Sequence, residues 1–195
     1  EKLCYNGVLA GTANLIKDGP GELILTKADT RTGSTEIQNG TLTITADDQL
    51  GTAPASTTTA SIRIADGATL KVDSSITLNT NRGIELTGQG KIEVTAGNTL
   101  TYAGSIKDGS SAGSLAKIGT GELKLSGTNT YTGTTVINAG TLNLMVGTAL
   151  ADTSAVTVEA AAIFKISTYG ETIASLAGSG RVENSGPLTI GGSNA

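Results

Sequence analysis

An internal repeat with an offset of 100 residues constrains the fold of this chain more than any other feature. The segment 15–50 recurs as the segment 115–150, with the same spacing of apolar residues, glycines and threonines. Positions that are identical in both segments include Leu15, Lys17, Gly19, Gly21, Glu22, Leu23, Leu25, Thr32, Gly33, Thr35, Ile37, Gly40, Thr41, Leu42 and Leu50, each matched 100 residues later. Long repeats of this kind are typical of folds in which each unit stacks on the previous one.

The similarity extends past these segments with small changes of offset. Residues 62–64, 70–72 and 86–90 resemble residues 156–158, 164–166 and 176–180. We therefore expect residues 1–195 to form one continuous fold with internal units at approximately 15–104 and 115–192. Residues 1–7 resemble residues 98–104 and would be the tail of a preceding unit, so the chain reads as a piece of a longer protein.

Each unit consists of short segments in which polar and apolar residues alternate. Residues 22–25, 41–44 and 69–72 follow this pattern, which is typical of β-strands with one buried face. Turn sequences such as Asn39-Gly40 and Asp66-Gly67 separate the segments. Because no window shows a trustworthy helical periodicity, the sequence predicts an all-β fold.

Two all-β architectures fit short alternating strands. An antiparallel sandwich or barrel usually fills a thick core with aromatic residues, whereas this chain has one Phe, four Tyr and no Trp. A parallel β-helix (β-solenoid) encloses a narrow interior that Leu, Ile and Val can fill by stacking on like residues of the next coil. We therefore predict a β-solenoid, and coils of about 20 residues would give about nine or ten coils in a chain of this length.

The composition argues against several classes of function. A net charge of −4 does not suit neutralisation of nucleic-acid phosphates. Without His, a Ser-His-Asp or Cys-His catalytic arrangement is impossible. The single cysteine, Cys4, allows no intrachain disulfide and is expected to be a small buried apolar residue. We predict no catalytic residue, no metal site and no cofactor.

Some charged residues nevertheless invite a functional interpretation. Asp47 and Asp48 have no counterpart in the second copy, and paired carboxylates can cleave glycosides or bind a cation, although a solvated loop explains them as well. Matched positions also carry cations, and these could form a ladder of positive charge or simply face the solvent. They are the pairs Lys71 and Lys165, and Lys91 and Arg181.

Other repeated residues favour a structural interpretation. Glu22 and Glu122 recur with the unit, which is more typical of a structural than of a catalytic residue. The ring of Tyr131 is expected to pack against a coil. Asn39-Gly40-Thr41 matches a glycosylation sequon but is first of all a turn signal.

One segment of the second copy carries an ordered set of residues with fixed spacing: Gly119, Gly121, Leu123 and Leu125, then Asn129, Thr130, Tyr131, Thr132, Gly133 and Thr135, then Gly140 and Leu142. This pattern resembles the passenger-associated, or autotransporter-associated, β-strand repeat. The first copy departs from the pattern at residues 28–33, where Asp29 and Arg31 replace the Asn and the Tyr. The resemblance implies a right-handed parallel β-helix on the surface of a Gram-negative cell, exported through an outer-membrane β-barrel of the same polypeptide.

The resemblance also implies a role. We expect a non-catalytic extracellular passenger that acts as a rigid stalk and adhesin, binds other copies of itself or a host protein or glycan, and assists its own secretion. The alternative is a polysaccharide-active β-helix enzyme, a lyase or glycosidase. Such an enzyme needs a cleft with carboxylates, basic residues and usually aromatic residues, and the sequence shows no such cluster.

Overall fold

The computed structural model describes residues 1–58 and 60–191. In these residues twenty strands, most of them of three to five residues, form a β-solenoid of about eight turns. Every pair of hydrogen-bonded strands is parallel and joins one coil to the next, as in the pairing of Glu22 with Thr41 and of Thr41 with Thr69. The prediction of an all-β parallel solenoid is therefore confirmed.

The strands form three faces, which each coil visits in the same order. Face A contains β2 (Leu15–Lys17), β4 (Thr35–Ile37), β6 (Ile62–Ile64) and the first parts of β9 (Ile84–Val94) and β11 (Ile106–Ile118). Face B contains β1 (Lys2–Tyr5), β3 (Glu22–Leu25), β5 (Thr41–Ile44), β7 (Thr69–Val72), the second parts of β9 and β11, β13 (Thr135–Ile137), β15 (Ala155–Val158) and β18 (Ser175–Gly178). Face C contains β8 (Ile76–Leu78), β10 (Thr99–Tyr102), β12 (Glu122–Leu125), β14 (Gly140–Leu144), β16 (Ala162–Ile166) and β19 (Arg181–Asn184). A third small sheet pairs β17 (Glu171–Ile173) with β20 (Leu188–Ile190).

The coils are longer and more variable than we expected. Partners on neighbouring coils lie 19 residues apart between Glu22 and Thr41, but 28 apart between Thr41 and Thr69. The longest coil contains a 3₁₀ turn at Asp47–Leu50 and the loop that follows it. Because the coils are longer, the chain completes about eight turns rather than nine or ten.

The core is a column of apolar side chains that stack across coils. On face C, Leu100, Leu123, Leu142, Phe164 and Val182 occupy successive positions of one ladder. Alternate residues of each strand point outward, which leaves the polar side chains on the surface. The core therefore needs few aromatic residues, because it is only as wide as one coil.

Burial of each coil depends on its neighbours. Leu3, Leu42 and Leu70 belong to one ladder on face B, yet Leu3 is 65% exposed while the other two are fully buried. Leu3 lies in β1, which has a paired strand on one side only. A coil thus gains most of its apolar burial when the next coil stacks on it.

The two matched copies occupy different faces of the solenoid. Lys17 lies on face A and β3 on face B, whereas Lys117 lies on face B and β12 on face C. From β3 the face B ladder takes four steps to reach β11, and β12 is one face further on. The second copy is therefore displaced by four full turns and one additional face.

Two expectations remain predictions. The right-handed sense of the coil is implied by the resemblance, and the division into units at 15–104 and 115–192, after a preceding tail at 1–7, is an interpretation of the sequence. The end of the second unit, residue 192, lies outside the described residues. Within residues 1–58 and 60–191, no helix has the length and apolar character needed to span a bilayer.

Candidate functional site

The second copy places a lysine inside the core. Lys117 pairs with Ile92 and Ile137 in the inward ladder of face B and is fully buried. Its Nζ donates hydrogen bonds to the carbonyl oxygens of Ile118 at 2.9 Å, Gly119 at 2.8 Å and Ala139 at 3.2 Å. Burial of the amine lowers the pKa of Lys117 to about 8, against a smaller opposing effect of the nearby Glu93 carboxylate. The lysine thus ties the corner of its own coil to the corner of the next coil.

The first copy builds the same arrangement on another face. Lys17 is 6% exposed, and its Nζ donates to the carbonyl oxygens of Asp18 at 3.2 Å, Gly19 at 2.7 Å and Asn39 at 2.9 Å. We call each set of one lysine and three carbonyl groups a lysine latch. A buried ammonium group is stable only with such partners.

Glycine makes the corner of the latch possible. Gly140 has a φ of +67°, and a Cβ atom there would lie too close to the carbonyl oxygen of Gly121 on the preceding coil. Gly119, whose carbonyl group accepts from Lys117, has a φ of +73°. Both positions favour glycine because the backbone is left-handed and Gly140 also lies against the neighbouring coil.

The Asn-Thr-Tyr loop is a second buried element of the repeat. Tyr131 is 1% exposed, and its hydroxyl group lies 2.6 Å from Oγ1 of Thr135. Nδ2 of Asn129 donates to the carbonyl oxygen of Ala149 at 2.7 Å, and its Oδ1 accepts from the backbone N–H of Ile106 at 2.8 Å. The expectation that the Tyr131 ring packs against a coil is confirmed.

The first copy fills the same positions with an ion pair. Arg31 and Asp29 stand where the second copy has Tyr131 and Asn129, and both are buried. Nη2 of Arg31 donates to Oγ1 of Thr35 at 2.8 Å, which is the bond that Tyr131 makes to Thr135. The first copy therefore keeps the hydrogen bond to the matched threonine, but the group that makes it is a charged guanidinium instead of a phenol.

Each copy also carries a similar array of outward side chains over four coils. The face B panel consists of Glu22, Ile24, Thr41, Thr43, Thr69, Lys71, Lys91 and Glu93. The face C panel consists of Glu122, Lys124, Thr141, Asn143, Ile163, Lys165, Arg181 and Glu183. The glutamates at the two ends, the central lysine and the basic residue of the last coil recur in both panels.

The repeated glutamates make structural contacts, as expected. The hydroxyl group of Thr43 donates to Oε1 of Glu22 at 2.6 Å, and this bond is the main cause of the lowered pKa of Glu22. In the second copy, Nδ2 of Asn143 donates to Oε1 of Glu122 at 2.7 Å. Each glutamate is thereby fixed by the next coil.

The hypothesis of a ladder of positive charge is wrong. Lys71 lies on face B and Lys165 on face C, so the matched residues do not stack on each other. Lys71 instead lies between Glu22, at 3.6 Å, and Glu93, at 4.0 Å. Lys91 and Arg181 are likewise on different faces, so neither matched pair stacks.

The paired carboxylates of the first copy do not form a free acidic site. Oδ1 of Asp47 accepts from Nε of Arg82 at 2.8 Å and from the backbone N–H of Asn79 at 2.9 Å. Arg82 is 2% exposed and also donates to the carbonyl oxygens of Leu50 and Gly51. Asp48 is exposed. Asp47 therefore anchors the inserted loop, which the interpretation as a simple solvated loop did not anticipate.

One buried carboxyl group has no hydrogen-bond partner among the described residues. Glu171 is 4% exposed, and both of its side-chain oxygens lack a donor. Burial raises the pKa of Glu171 to about 7, although the nearby backbone N–H groups of Leu150 and Ala149 oppose the shift. The carboxylate of Asp152 adds a smaller like-charge effect that also raises the pKa of Glu171.

Two remaining expectations have mixed outcomes. Cys4 is exposed, so the expectation of a buried cysteine is wrong; it faces outward because it is the register partner of Ile24 on the outer side of face B. Asn39 lies at an exposed corner, where its Oδ1 accepts from the backbone N–H of Gly40 at 2.8 Å. The turn interpretation of Asn39-Gly40 is confirmed.

Sequence reasoning matched Lys17 to Lys117 but assigned them no role. The sequence did indicate the inward position of Lys17, because it lies two residues after Leu15 in one strand and its side chain must point to the same face.

In the part of the chain that the structure describes, no group of three or more Cys, Asp or Glu side chains is placed to hold a metal ion. The main polar features of the described residues are therefore the lysine latches in the core and the two charged panels on the surface.

Comparison with known proteins agrees with this geometry. The passenger-associated-transport-repeat family matches residues 15–44 and 115–144, the two segments that contain the latches. The Adhesin BmaC autotransporter of Brucella suis biovar 1 (strain 1330) is 38% identical over 137 residues, which are 70% of this chain and 4% of the relative. The chain thus spans a small part of that relative's length. No solved structure matches.

The fold, the two repeat matches and the relative point to one class of protein. Passengers of this class lie outside the cell, attached to the outer membrane. The chain therefore belongs to the autotransporter passengers with passenger-associated-transport-repeats.

Proposed function

We propose that this segment is a non-catalytic, rigid part of a surface adhesin, and that its lysine latches assist export by locking successive coils. The observation that carries the proposal is that both repeat matches build the same buried latch between neighbouring coils. The relative of this chain is an adhesin by name, which supports an adhesive role here.

The latch suits a chain that folds as it emerges. Lys117 bonds to Ile118 and Gly119 on its own coil, but its bond to Ala139 requires the next coil to be in place. Each coil contacts mainly its neighbours, so folding can propagate without distant contacts. Locking one coil after another would keep the emerged part from returning to an unfolded state.

The contacts and positions of the carboxyl groups support a non-catalytic role. Glu122 is bonded to Asn143, Asp47 is bonded to Arg82, and Glu171 lies in the core. A glycosidase would need two carboxyl groups facing one cleft. Nothing in the described residues favours the enzyme alternative.

Deletion of whole coils tests the role in export. Because Lys117 is the register partner of Ile137, deletion of residues 117–136 removes one coil with its latch and lets Ile137 take the place of Lys117. Because Val156 is the register partner of Leu176, deletion of residues 156–175 removes one coil of the same length outside both repeat matches. Both deletions therefore keep the alternation of inward and outward side chains on face B.

We expect the first deletion to lower surface display of the parent protein more than the second, measured by antibody labelling of intact cells against total expression. Equal display of both variants would contradict the export role of the latch. Adhesion is tested separately with beads that carry the purified chain, by counting beads bound to host cells or to one another. Beads that bind neither would contradict the adhesive role.

A further inference from the structure

The coil that departs most from the repeat carries a surface cavity. In the first copy, residues 51–61 connect Leu50 to Ile62, whereas residues 151–155 make the matched connection in the second copy. The longer connection and the coils before and after it line a cavity of about 440 Å³, which we call the loop cavity. Insertions in repeat proteins form surface loops, and such loops often carry binding sites.

The inserted loop is fixed to both neighbouring coils. The backbone N–H of Thr52 donates to the carbonyl oxygen of Arg31 on the preceding coil at 2.8 Å. On the following coil, Nδ2 of Asn81 donates to the carbonyl oxygen of Pro54 at 2.9 Å. The carbonyl oxygen of Asn81 also accepts from the backbone N–H of Thr58 at 3.0 Å. The walls of the loop cavity are therefore held in place before a ligand binds, which lowers the entropic cost of binding.

Hydroxyl-bearing residues from two successive coils line the loop cavity. They are Thr32, Ser34, Thr52, Thr58 and Ser61. The hydroxyl groups of Thr52, Thr58 and Ser61 already donate to backbone carbonyl oxygens of a neighbouring coil, at 3.2 to 3.4 Å. Each hydroxyl oxygen keeps lone pairs that can accept a hydrogen bond. This lining therefore suits a ligand that carries several O–H groups.

A buried guanidinium group adds a donor. Arg82 lines the loop cavity although its side chain is only 2% exposed. Its Nε and Nη2 bond to Asp47 and to the carbonyl oxygen of Gly51, whereas Nη1 makes one bond, of 3.3 Å, to the carbonyl oxygen of Leu50. Since Nη1 carries two N–H groups, one of them has no acceptor among the described residues and can donate to an oxygen atom of a ligand.

The charge of the lining favours a neutral ligand. Among the described residues that line the loop cavity, Arg82 is the only charged one, and the Asp47 carboxylate at 2.8 Å balances it. An anionic ligand would compete with Asp47 for the guanidinium group and would leave a charge unpaired. A neutral ligand keeps the ion pair intact.

We propose that the loop cavity binds a neutral sugar residue of a glycan, a hexose or an N-acetylhexosamine. The methyl groups of Ala53 and Ala55 and the ring of Pro54 form an apolar part of the lining, against which the C–H face of a sugar ring can pack. The volume is at the small end of the roughly 300–1,000 Å³ of ligand pockets, so it suits about one or two rings. This inference rests on the proposed adhesive function and specifies the class of ligand.

Binding of one sugar should be weak. A sugar ring with its substituents has about a dozen non-hydrogen atoms, which supports a dissociation constant of about 1 mM. Adhesion by this cavity therefore needs many copies on one surface.

The test presents the full 195-residue chain to immobilised glycans at high density. One set of glycans ends in galactose, glucose, mannose or N-acetylglucosamine, and the other set ends in sialic acid or sulfated sugars. We expect the wild type to bind members of the neutral set and not the anionic set. Replacement of residues 51–61 with residues 151–155 removes the wall of the loop cavity and should abolish this binding.

A matched pair of point variants keeps the test decisive if the loop exchange disturbs the fold. Thr58→Val removes one hydroxyl group from the lining and should weaken binding about fivefold, the effect of one hydrogen bond. The carbonyl oxygen of Asn81 keeps its bond from the backbone N–H of residue 58. The control is Thr57→Val, because Thr57 is an exposed residue of the same loop that does not line the cavity; it should bind like the wild type. Circular dichroism establishes that each variant keeps its strands.

Three results would each overturn the inference: no binding to any neutral glycan, preference for the anionic set, or equal binding by Thr58→Val and Thr57→Val. The adhesive function is judged separately, by attachment of beads to host cells. Beads that attach equally well with the wild-type loop and with the exchanged loop would overturn this inference alone and leave the proposed adhesive function standing.

Discussion

Replacement of Lys117 with Met removes the ammonium group of the second latch and keeps most of the side-chain volume. Three carbonyl oxygens of partly buried corner residues, at 2.8 to 3.2 Å from Nζ, then lose their donor. At roughly 2 kcal/mol for each unsatisfied group, the loss is about 6 kcal/mol.

An opposing effect reduces this figure. Burial lowers the pKa of Lys117 from 10.5 to about 8, and a shift of that size corresponds to about 3 kcal/mol of unfavourable desolvation that Met avoids. The expected net destabilisation is therefore about 3 kcal/mol at neutral pH. The loss should be concentrated in the two coils that the latch joins, since each coil of a solenoid depends on its neighbours.

The assay is urea unfolding followed by circular dichroism, together with amide hydrogen exchange over residues 115–145. The control is Lys124→Met, because Lys124 is a partly exposed residue whose one ion pair, to Glu122 at 3.4 Å, is worth less than about 1 kcal/mol. Equal unfolding midpoints for the two variants, or unchanged exchange in residues 115–145, would refute the argument that the latch holds the coils together.

Three further outcomes follow from the buried polar groups. Burial raises the pKa of Glu171 from 4.5 to about 7. The stability that the protonated group provides below pH 4.5 should therefore be lost as the pH rises through 7, by at most about 3 kcal/mol. Thermal melts should show this loss in the wild type and in the exposed control Glu159→Gln, but not in Glu171→Gln. Arg31→Tyr alone should destabilise by about 3 kcal/mol, because the buried carboxylate of Asp29 loses its ion-pair partner. Adding Asp29→Asn should recover most of the loss in urea melts, since the second copy holds Asn129 and Tyr131 at these positions; no recovery would show that the loops are not interchangeable. Arg82→Met should leave the Asp47 carboxylate unpaired, at a cost of about 3 kcal/mol, and speed proteolytic cleavage in the loop 45–58, whereas the exposed control Arg63→Met should be cut at the wild-type rate.

Much of the architecture was predictable because its determinants are local. Alternation in segments such as 22–25 and 41–44 sets which side chains point inward, whatever the neighbouring coil is. The low aromatic content favoured a core only one coil wide. The inward position of Lys17 also followed from the parity that it shares with Leu15, although the partners of its ammonium group did not.

The candidate site was less predictable, because it depends on which coils meet. Arg31 and Tyr131 have different chemistry, and only the structure shows that both bond to the matched threonines, Thr35 and Thr135. The ion pair between Asp47 and the buried Arg82 joins residues 35 positions apart across a loop of irregular length. No local pattern encodes that distance.

The sequence by itself determined that this chain is a stack of short parallel strands with a repeated motif, because side-chain alternation and turn residues act within a few positions. Only the tertiary structure decided that the second motif lies four turns and one face beyond the first, and hence which charges share a panel. The reason is that coil length varies from 19 to 28 residues as loops are inserted at the corners. The face on which a residue lies therefore depends on the combined length of all the loops that precede it.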